Sequence, residues 1–133
     1  MRLMFLVYVR GSKSFLMDTN YRTIEKLCEY VEELEGDEAD WDWLGLFSNP
    51  ASMICSFEAS GGREEGYSVE ETITAIARLL KILLEHGSRW RASPDWPDFM
   101  GSPTWLEESL RDLLGAVKGL PAGSRIKSLV QDN

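Results

Sequence analysis

The chain has 133 residues, 44% of them hydrophobic and 27% charged, and its formal net charge is −8 at pH 7. The size and composition are those of one globular domain. The negative charge predicts repulsion from nucleic acid and from anionic membrane surfaces, so it favours a basic protein partner or no partner. The longest apolar run, from Leu3 to Val9, is too short for a membrane span and is not followed by a signal-peptide cleavage site, which predicts a cytoplasmic protein without membrane contact.

The N-terminal residues predict a β-hairpin. The run from Leu3 to Val9 is apolar at both phases of strand alternation, as in a central strand that is covered on both faces. Gly11 and Ser12 follow as a two-residue loop with glycine first, which favours a type II′ turn. A short second strand from Ser14 to Met17 should return beside the first.

An amphipathic helix is predicted next. Asp18, Thr19 and Asn20 offer N-caps, and Gly36 offers a C-terminal stop. Apolar side chains recur between them at helical spacing, at Tyr21, Ile24, Leu27, Cys28, Val31 and Leu34. The opposite side of this helix carries four glutamates, Glu25, Glu29, Glu32 and Glu33.

A second pair of strands is expected after the acidic end of this helix. The segments from Trp43 to Phe47 and from Ser52 to Phe57 are short and apolar, and the residues from Ser48 to Pro50 between them favour a turn. Followed by another helix, this pair gives a ββαββα arrangement.

Ser68 and Glu71 form a capping box, with serine at the N-cap and glutamate at N3, which opens the clearest helix of the chain. The helix should end near His86, with Gly87 as its C-terminal stop. It is expected to be the main core element because its apolar positions form one broad stripe: Val69, Ile73, Ile76, Leu79, Leu80, Leu83 and Leu84.

The last third of the chain predicts a loop, a helix and a tail. Residues from Ser88 to Thr104 combine prolines with aromatic rings and should form an ordered surface loop. Thr104 and Glu107 form a second capping box, and residues 122–133 are expected to be a short polar tail that docks weakly. The elements together predict a single α+β domain over residues 1–133, with an approximately four-stranded, mainly antiparallel sheet and two to three helices.

No catalytic or cofactor motif is present in the sequence. It contains no P-loop and no G-x-G-x-x-G, and its single histidine, His86, excludes a two-histidine metal site. The segment that starts at Asp40 opens like a calcium loop, but Leu44 and Ala51 occupy two of its ligand positions. Cys28 and Cys55 lie on apolar faces and are expected to be buried free thiols. We therefore expect neither metal nor cofactor, and no enzyme activity.

The charge imbalance lies entirely in the stretch from Glu25 to Asp42, which holds nine acids and one base. Within the predicted helix, like charges four residues apart cost about 0.2–0.5 kcal/mol per pair. The alternative is a solvated face that only keeps the protein in solution. Such a face could combine acidic and basic residues, as the rest of the chain does. We interpret the stretch as a binding surface with an aromatic anchor, formed by Glu25, Glu29, Glu32, Glu33, Asp37, Glu38, Asp40, Trp41 and Asp42.

These features predict a small acidic protein that occludes a basic protein partner. In overall character, being small, acidic and aromatic-rich, the chain resembles the immunity proteins that neutralise bacterial toxins, which implies a nuclease-type toxin as partner. A phage-type inhibitor of a nuclease defence system has the same profile. The alternative is a structural or adaptor domain that interacts through the aromatic loop Trp90–Trp105, and a small enzyme of unknown chemistry is the third reading.

Overall fold

Strands from the two ends of the chain lie side by side in the middle of one sheet. The computed structural model describes residues 2–36, 41–48, 65–92 and 103–131. Within these ranges the strand order is β2-β1-β4-β3 and every pairing is antiparallel. The predicted α+β fold with a four-stranded antiparallel sheet is confirmed. The elements are β1 (Arg2–Val9), β2 (Ser12–Asn20), α1 (Tyr21–Glu35), α2 (Trp41–Leu44), β3 (Tyr67–Ser68), α3 (Val69–Arg91), α4 (Pro103–Lys118) and β4 (Arg125–Gln131).

The hairpin of β1 and β2 differs from the predicted one in its turn. The two-residue loop consists of Arg10 and Gly11, with φ angles of 51° and 82°. Two successive positive φ angles are typical of a type I′ turn, whose twist matches that of the flanking strands. The predicted II′ turn at Gly11 and Ser12 is therefore wrong, and β2 continues to Asn20 rather than ending at Met17.

Helix α1 begins and ends as predicted. Asn20 is the N-cap, and its side-chain oxygen accepts a hydrogen bond from the backbone nitrogen of Thr23 at 3.1 Å. At the other end Gly36 has a φ of 61°, and its N–H donates to the carbonyl of Glu32. The apolar side of the helix is buried, and it includes Tyr21, Ile24, Leu27, Cys28 and Val31.

Residues 41–48 do not form the predicted strand. Helix α2 is a single turn, after which the N–H groups of Phe47 and Ser48 both donate to the carbonyl of Leu44 at 2.9 Å. All of residues 44–48 are buried, whereas a strand with one covered face alternates between buried and exposed positions. The apolar run therefore forms a compact turn that is buried in the core, with Leu44, Leu46 and Phe47 each 0% exposed.

Helix α3 begins at the predicted capping box and continues beyond its predicted end. The Ser68 hydroxyl accepts from the backbone nitrogen of Glu71, and the Glu71 carboxylate accepts from that of Ser68, both at 3.1 Å. The helix passes through Gly87 and ends at Arg91, so Gly87 is not its C-terminal stop. The additional turn contains Trp90, and the stacking of its ring on Tyr30 of α1 stabilises that turn.

Helix α4 lies beside α3 and reaches the first hairpin. It begins at Pro103, so Thr104 is in its first turn rather than at the N-cap. Proline suits this position because the first N–H groups of a helix have no partner within it. The Ser109 hydroxyl lies 3.2 Å from that of Thr19 on β2, which places α4 over the same sheet face as α1.

Residues 125–131 form a strand inside the sheet, and the expectation of a weakly docked tail is wrong. β4 pairs with β1 on one side and with β3 on the other. Ile126 and Ser128 are 0% exposed and Val130 is 4% exposed. Arg125, Lys127 and Leu129 between them are half-buried, which is the alternation of a strand with one face on the core.

The hydrophobic core lies on one face of the sheet. It combines Leu3 and Phe5 of β1 with Ile126 and Val130 of β4 and with the apolar sides of α1, α3 and α4. These strand positions are two residues apart, and strand geometry sends them to the same side. The described residues therefore form two layers, with helices over one face of the sheet.

Several predicted features lie outside the described residues. They are the strand from Ser52 to Phe57 with Cys55, the acids Asp37, Glu38 and Asp40, and residues 93–102 of the aromatic loop. Among the residues that the structure does describe, no helix is long and apolar enough to cross a membrane.

The core assignment predicts a large loss of stability on truncation of Leu83, which is 2% exposed. Leu83→Ala should lower the free energy of unfolding by about 2–5 kcal/mol, because it removes buried methyl groups and leaves a cavity. Leu84→Ala is the matched control, since Leu84 is 53% exposed in the same helix and its truncation should change stability by less than about 0.5 kcal/mol. Urea denaturation followed by circular dichroism measures both, and equal losses would contradict the orientation of α3.

Candidate protein-interaction surface

The nine residues predicted to bind a partner are here called the acidic surface, and five of their side chains are described. Glu29, Glu32 and Glu33 are exposed on α1, and Glu25 is half-buried on the same helix. Asp42 is exposed on α2, where Trp41 is the first residue. The structure thus places four of the predicted glutamates on α1, and three of them are exposed to solvent. Asp37, Glu38 and Asp40 lie outside the described residues.

Two bases, Arg22 and Lys26, lie on the same side of α1 as these glutamates. The Lys26 ammonium is 3.0 Å from the Glu29 carboxylate, and this hydrogen bond raises the pKa of Lys26 against the opposing effect of its partial burial. The pair is solvent-exposed, so it contributes no more than about 0.5 kcal/mol. Glu32 and Glu33 make no ion pair with any described residue. This side of α1 therefore keeps a net negative charge, with four glutamates against two bases.

An aromatic stack fixes α1 against α3. The centres of the Tyr30 and Trp90 rings lie 5.2 Å apart, and the ring planes are 14° from parallel. The His86 ring also stacks on Trp90, with the two ring centres 5.5 Å apart. The Lys26 ammonium lies 5.6 Å from the centre of the Tyr30 ring. His86 thus lies within α3 and packs on an aromatic ring, and the prediction that the helix ends near it is wrong.

A second contact holds the C-terminal end of α1. The Glu35 carboxylate pairs with the Arg78 guanidinium of α3 at 3.2 Å, and only 15% of the Glu35 side chain is exposed. The same guanidinium lies over the Trp43 ring, 4.7 Å from its centre. Arg78 therefore connects the end of α1 to Trp43 of α2, the neighbour of Asp42.

A cleft of about 390 Å³ lies beside this contact, between α2, β3 and the first half of α3. The Tyr67 hydroxyl donates to the backbone carbonyl of Asp42 at 2.5 Å, which fixes α2 at the cleft wall. The sequence did not point to this cleft, because its residues are far apart in the chain and belong to elements whose packing no local pattern reveals. It is lined by Asp42, Trp43, Tyr67, Glu70, Glu71, Thr74, Ala75 and Arg78.

The buried side of α1 is anchored by polar as well as apolar groups. Tyr21 is 3% exposed, and its hydroxyl lies 3.5 Å from that of Ser48, so the start of α1 contacts the segment after α2. Burial is the main cause that raises the pKa of Tyr21 to about 12, with a further contribution from the charge of Glu25. The phenol is therefore neutral at physiological pH, as its buried position requires.

Comparisons with protein-family models, with curated proteins and with solved structures found no match to this chain. Within residues 2–36, 41–48, 65–92 and 103–131, no group of three or more histidine, cysteine, aspartate or glutamate side chains is arranged to hold a metal ion.

The anchoring of α1 predicts an unreactive thiol at Cys28, which is a buried free cysteine with 1% exposure. Burial, reinforced by the charges of Glu25 and Glu29, raises the pKa of this thiol, and only the thiolate reacts readily. In a Cys55→Ser variant, Cys28 should react with a thiol reagent far more slowly in buffer than in denaturant. Similar rates in both solutions would show that α1 is not packed as described.

Proposed function

We propose that this protein is a binding protein whose acidic surface occludes a basic protein partner. The partner class that fits best is an enzyme that acts on nucleic acid, so the protein would be an immunity protein against a nuclease-type toxin or a phage-type inhibitor of a nuclease defence system. The observation that carries the proposal is the exposed side of α1, where the acids Glu25, Glu29, Glu32 and Glu33 outnumber the bases Arg22 and Lys26.

The energetic cost of this arrangement supports a binding role. Glu25 and Glu29, and Glu29 and Glu33, are like charges four residues apart, at a cost of about 0.2–0.5 kcal/mol per pair. The last turn of α1 contains no basic residue to complement the helix dipole, and acids there cost about 0.3–1 kcal/mol each. A surface that lowers the stability of its own helix is typical of a site kept for function.

The rigidity of α1 also supports the proposal. The helix is capped at both ends, stacked on Trp90 through Tyr30, and tied to Arg78 through Glu35. Side chains on a fixed helix lose less conformational entropy on association than those on a flexible segment. The carboxylates are therefore pre-arranged to meet a complementary surface.

The charge of the surface suggests the chemical character of the partner. Enzymes that bind nucleic acid present lysine and arginine to the phosphate backbone. A fixed array of carboxylates matches such a basic surface, and opposite charges accelerate the encounter of the two proteins. A protein with this acidic surface would block the substrate site of the enzyme by occupying the same cations.

The adaptor alternative is weakened by the position of Trp90. This ring, the first aromatic of the loop expected to mediate adaptor contacts, lies on α3 and stacks with both His86 and Tyr30. Its face is therefore used to hold α1, which leaves residues 93–102, outside the described ranges, as the remainder of that surface. A small enzyme is the third alternative, and the cleft beside Asp42 is the place where its chemistry would lie.

Charge reversal tests the proposal. Glu29→Lys combined with Glu33→Lys should slow association with the partner recovered from native cells by about ten-fold or more at low salt, because long-range attraction raises association rates by about 10–1,000-fold. The same reversal should flatten the salt dependence of the association rate and leave the fold intact. Surface plasmon resonance at several ionic strengths measures both quantities.

The matched control is a reversal of Glu108 and Asp112 to lysine on α4. These residues are also exposed and four apart, so the net charge changes equally while the acidic surface is unchanged. Association should then slow much less than in the α1 variant. Equal slowing in both variants, or an unchanged association rate in the α1 variant, would contradict the proposal.

The aromatic anchor of the surface has a different kinetic signature. Trp41→Ala should accelerate dissociation of the same complex about thirty-fold, equivalent to about 2 kcal/mol, because buried aromatic anchors act on the lifetime of a complex. The association rate should change little. An unchanged dissociation rate would remove Trp41 from the binding site without affecting the assignment of the glutamates.

A further inference from the structure

The end of the first hairpin extends into solvent. Its turn joins β1 to β2 through Arg10 and Gly11, and every residue from Arg10 to Phe15 is exposed. Successive side chains of a strand point to opposite sides of the sheet. Because Ser14 and Phe15 are both exposed, this part of β2 is solvated on both sides. Residues 10–15 are here called the hairpin tip.

The hairpin tip is basic. It contains Arg10 and Lys13 and no acidic residue. Neither cation forms an ion pair with a residue that the structure describes. The next acid along β2 is Asp18, and its charge is offset by a salt bridge with Arg2. The hairpin tip therefore carries about two unpaired positive charges at neutral pH.

An aromatic ring lies beside these cations. Phe15 is 55% exposed, more than any other large hydrophobic residue that is described. Lys13 and Phe15 are two residues apart in β2, so their side chains leave the strand on the same side. Aromatic and arginine side chains are enriched where proteins contact each other. The hairpin tip therefore has the composition of a contact surface.

The backbone of Arg10 has a conformation that is unfavourable for arginine. Its φ of 51° is in the left-handed region, where a Cβ atom crowds the following carbonyl oxygen. Asparagine and glycine are favoured at this position of a type I′ turn because they adopt that region more readily. Strained residues of this kind are concentrated at functional sites. The presence of arginine in the turn therefore indicates a role for its side chain.

The exposed side of α1 has a charge opposite to that of the hairpin tip. Its four glutamates are accompanied by two bases, Arg22 and Lys26. Lys26 pairs with Glu29, whereas Glu32 and Glu33 form no ion pair with any described residue. Among the residues described, one chain thus presents a basic tip and an acidic helix that do not pair with each other.

We propose that the hairpin tip of one copy binds the glutamates of α1 in a second copy. Arg10 and Lys13 would pair with the carboxylates, and Phe15 would contact the methylene groups that long charged side chains carry. A second copy fits the tip because every copy supplies both surfaces in equal amounts and with complementary charge. Complementary charge favours the encounter and sets the orientation of two surfaces.

The net charge of −8 does not prevent this contact. Charges farther apart than about 8 Å are largely screened at physiological salt, so the charges nearest the contact decide its sign. The excess of acids lies entirely between Glu25 and Asp42, within or next to the surface that the tip would meet. The contact therefore joins surfaces of opposite sign in a chain whose total charge is negative.

Self-association would regulate the binding of a basic partner, and this consequence rests on the proposed function. The partner and the hairpin tip of a second copy would compete for the same glutamates. Exposed ion pairs each contribute little, so the contact between copies should be weak and reversible. A tightly bound partner would then displace the tip and separate the copies.

Sedimentation equilibrium of the full chain tests the proposal without any basic partner. At about 0.15 M salt the weight-average mass should rise above that of one chain as the protein concentration approaches about 1 mM, the range of weak contacts. Salt at about 1 M should restore the mass of one chain, because it shortens the screening distance to about 3 Å. Failure of this test would leave the proposed function unaffected, since that function concerns a different protein.

Charge reversal locates the two surfaces. Arg10→Asp combined with Lys13→Glu should abolish self-association, and Glu29→Lys combined with Glu33→Lys should do the same, because each variant then has like charges on both surfaces. Aspartate is chosen at residue 10 because it tolerates the left-handed region. An equal mixture of the two variants should associate again, since the acidic tip of one meets the basic helix of the other. A structural defect in either variant would not be corrected by mixing.

Arg10→Asn separates the role of the side chain from the stability of the turn. Asparagine suits the first position of a type I′ turn, so the melting temperature should rise slightly. Loss of one exposed ion pair should weaken self-association by about two- to five-fold. A higher melting temperature with unchanged self-association would contradict the role assigned to Arg10.

The matched control is Arg89→Glu combined with Lys118→Glu. Both residues are exposed, on α3 and α4, and the net charge changes by the same amount as in the tip variant. Self-association should be retained. Equal loss in the control, the mass of one chain at every concentration, or a mixture that fails to associate would overturn the proposal. A chain that remains monomeric while its tip binds polyglutamate or oligo(dT) would also overturn it, because the ligand of the tip would then be another anion.

Discussion

The pairing of β1 with β4 is the interaction on which the rest of the structure depends. It joins residues 2–8 to residues 125–131, nearly the full length of the chain. Each strand then carries a neighbour, β2 beside β1 and β3 beside β4, and the helices pack on the face they create. The core is therefore complete only when the last strand is in place between β1 and β3.

The position of β4 also determines the surroundings of the acidic surface. The buried Ser128 hydroxyl donates to the carbonyl of Leu46 at 2.5 Å, which ties the segment after α2 to the sheet. On the other side Gly66 approaches β4 so closely that a Cβ atom there would lie 2.5 Å from the carbonyl oxygen of Ile126. With a φ of 69°, this position requires glycine, because any side chain would strain the backbone and displace β3.

The parts of this fold that were predicted from the sequence are those governed by neighbouring residues. The N-cap at Asn20, the stop at Gly36 and the capping box at Ser68 each depend on a hydrogen bond within one turn of helix, so local spacing reveals them. The apolar run around Leu46 was misassigned because a short buried segment has the same composition in a strand and in a compact buried turn. The strand at residues 125–131 has a clear alternation, but the polar Ser128 on its inner side obscured it.

The grouping of Glu25, Glu29, Glu32 and Glu33 was predictable for the same reason as α1, since helical periodicity alone places them on one side of the helix. The cleft at Asp42 was not, because its packing brings together residues from distant segments of the chain.

Amide chemical-shift mapping by NMR tests the central claim most directly. An arginine-rich peptide, as a simple substitute for a basic partner, is added to the isotopically labelled protein at low salt. The largest shifts should fall on Glu29, Glu32 and Glu33 of α1 and on Asp42, and they should disappear in the variant with Glu29 and Glu33 reversed to lysine. Shifts of similar size at Glu108 and Asp112 of α4, or shifts spread evenly over all exposed acids, would contradict the account, because the acidic surface would then be only a solvated face.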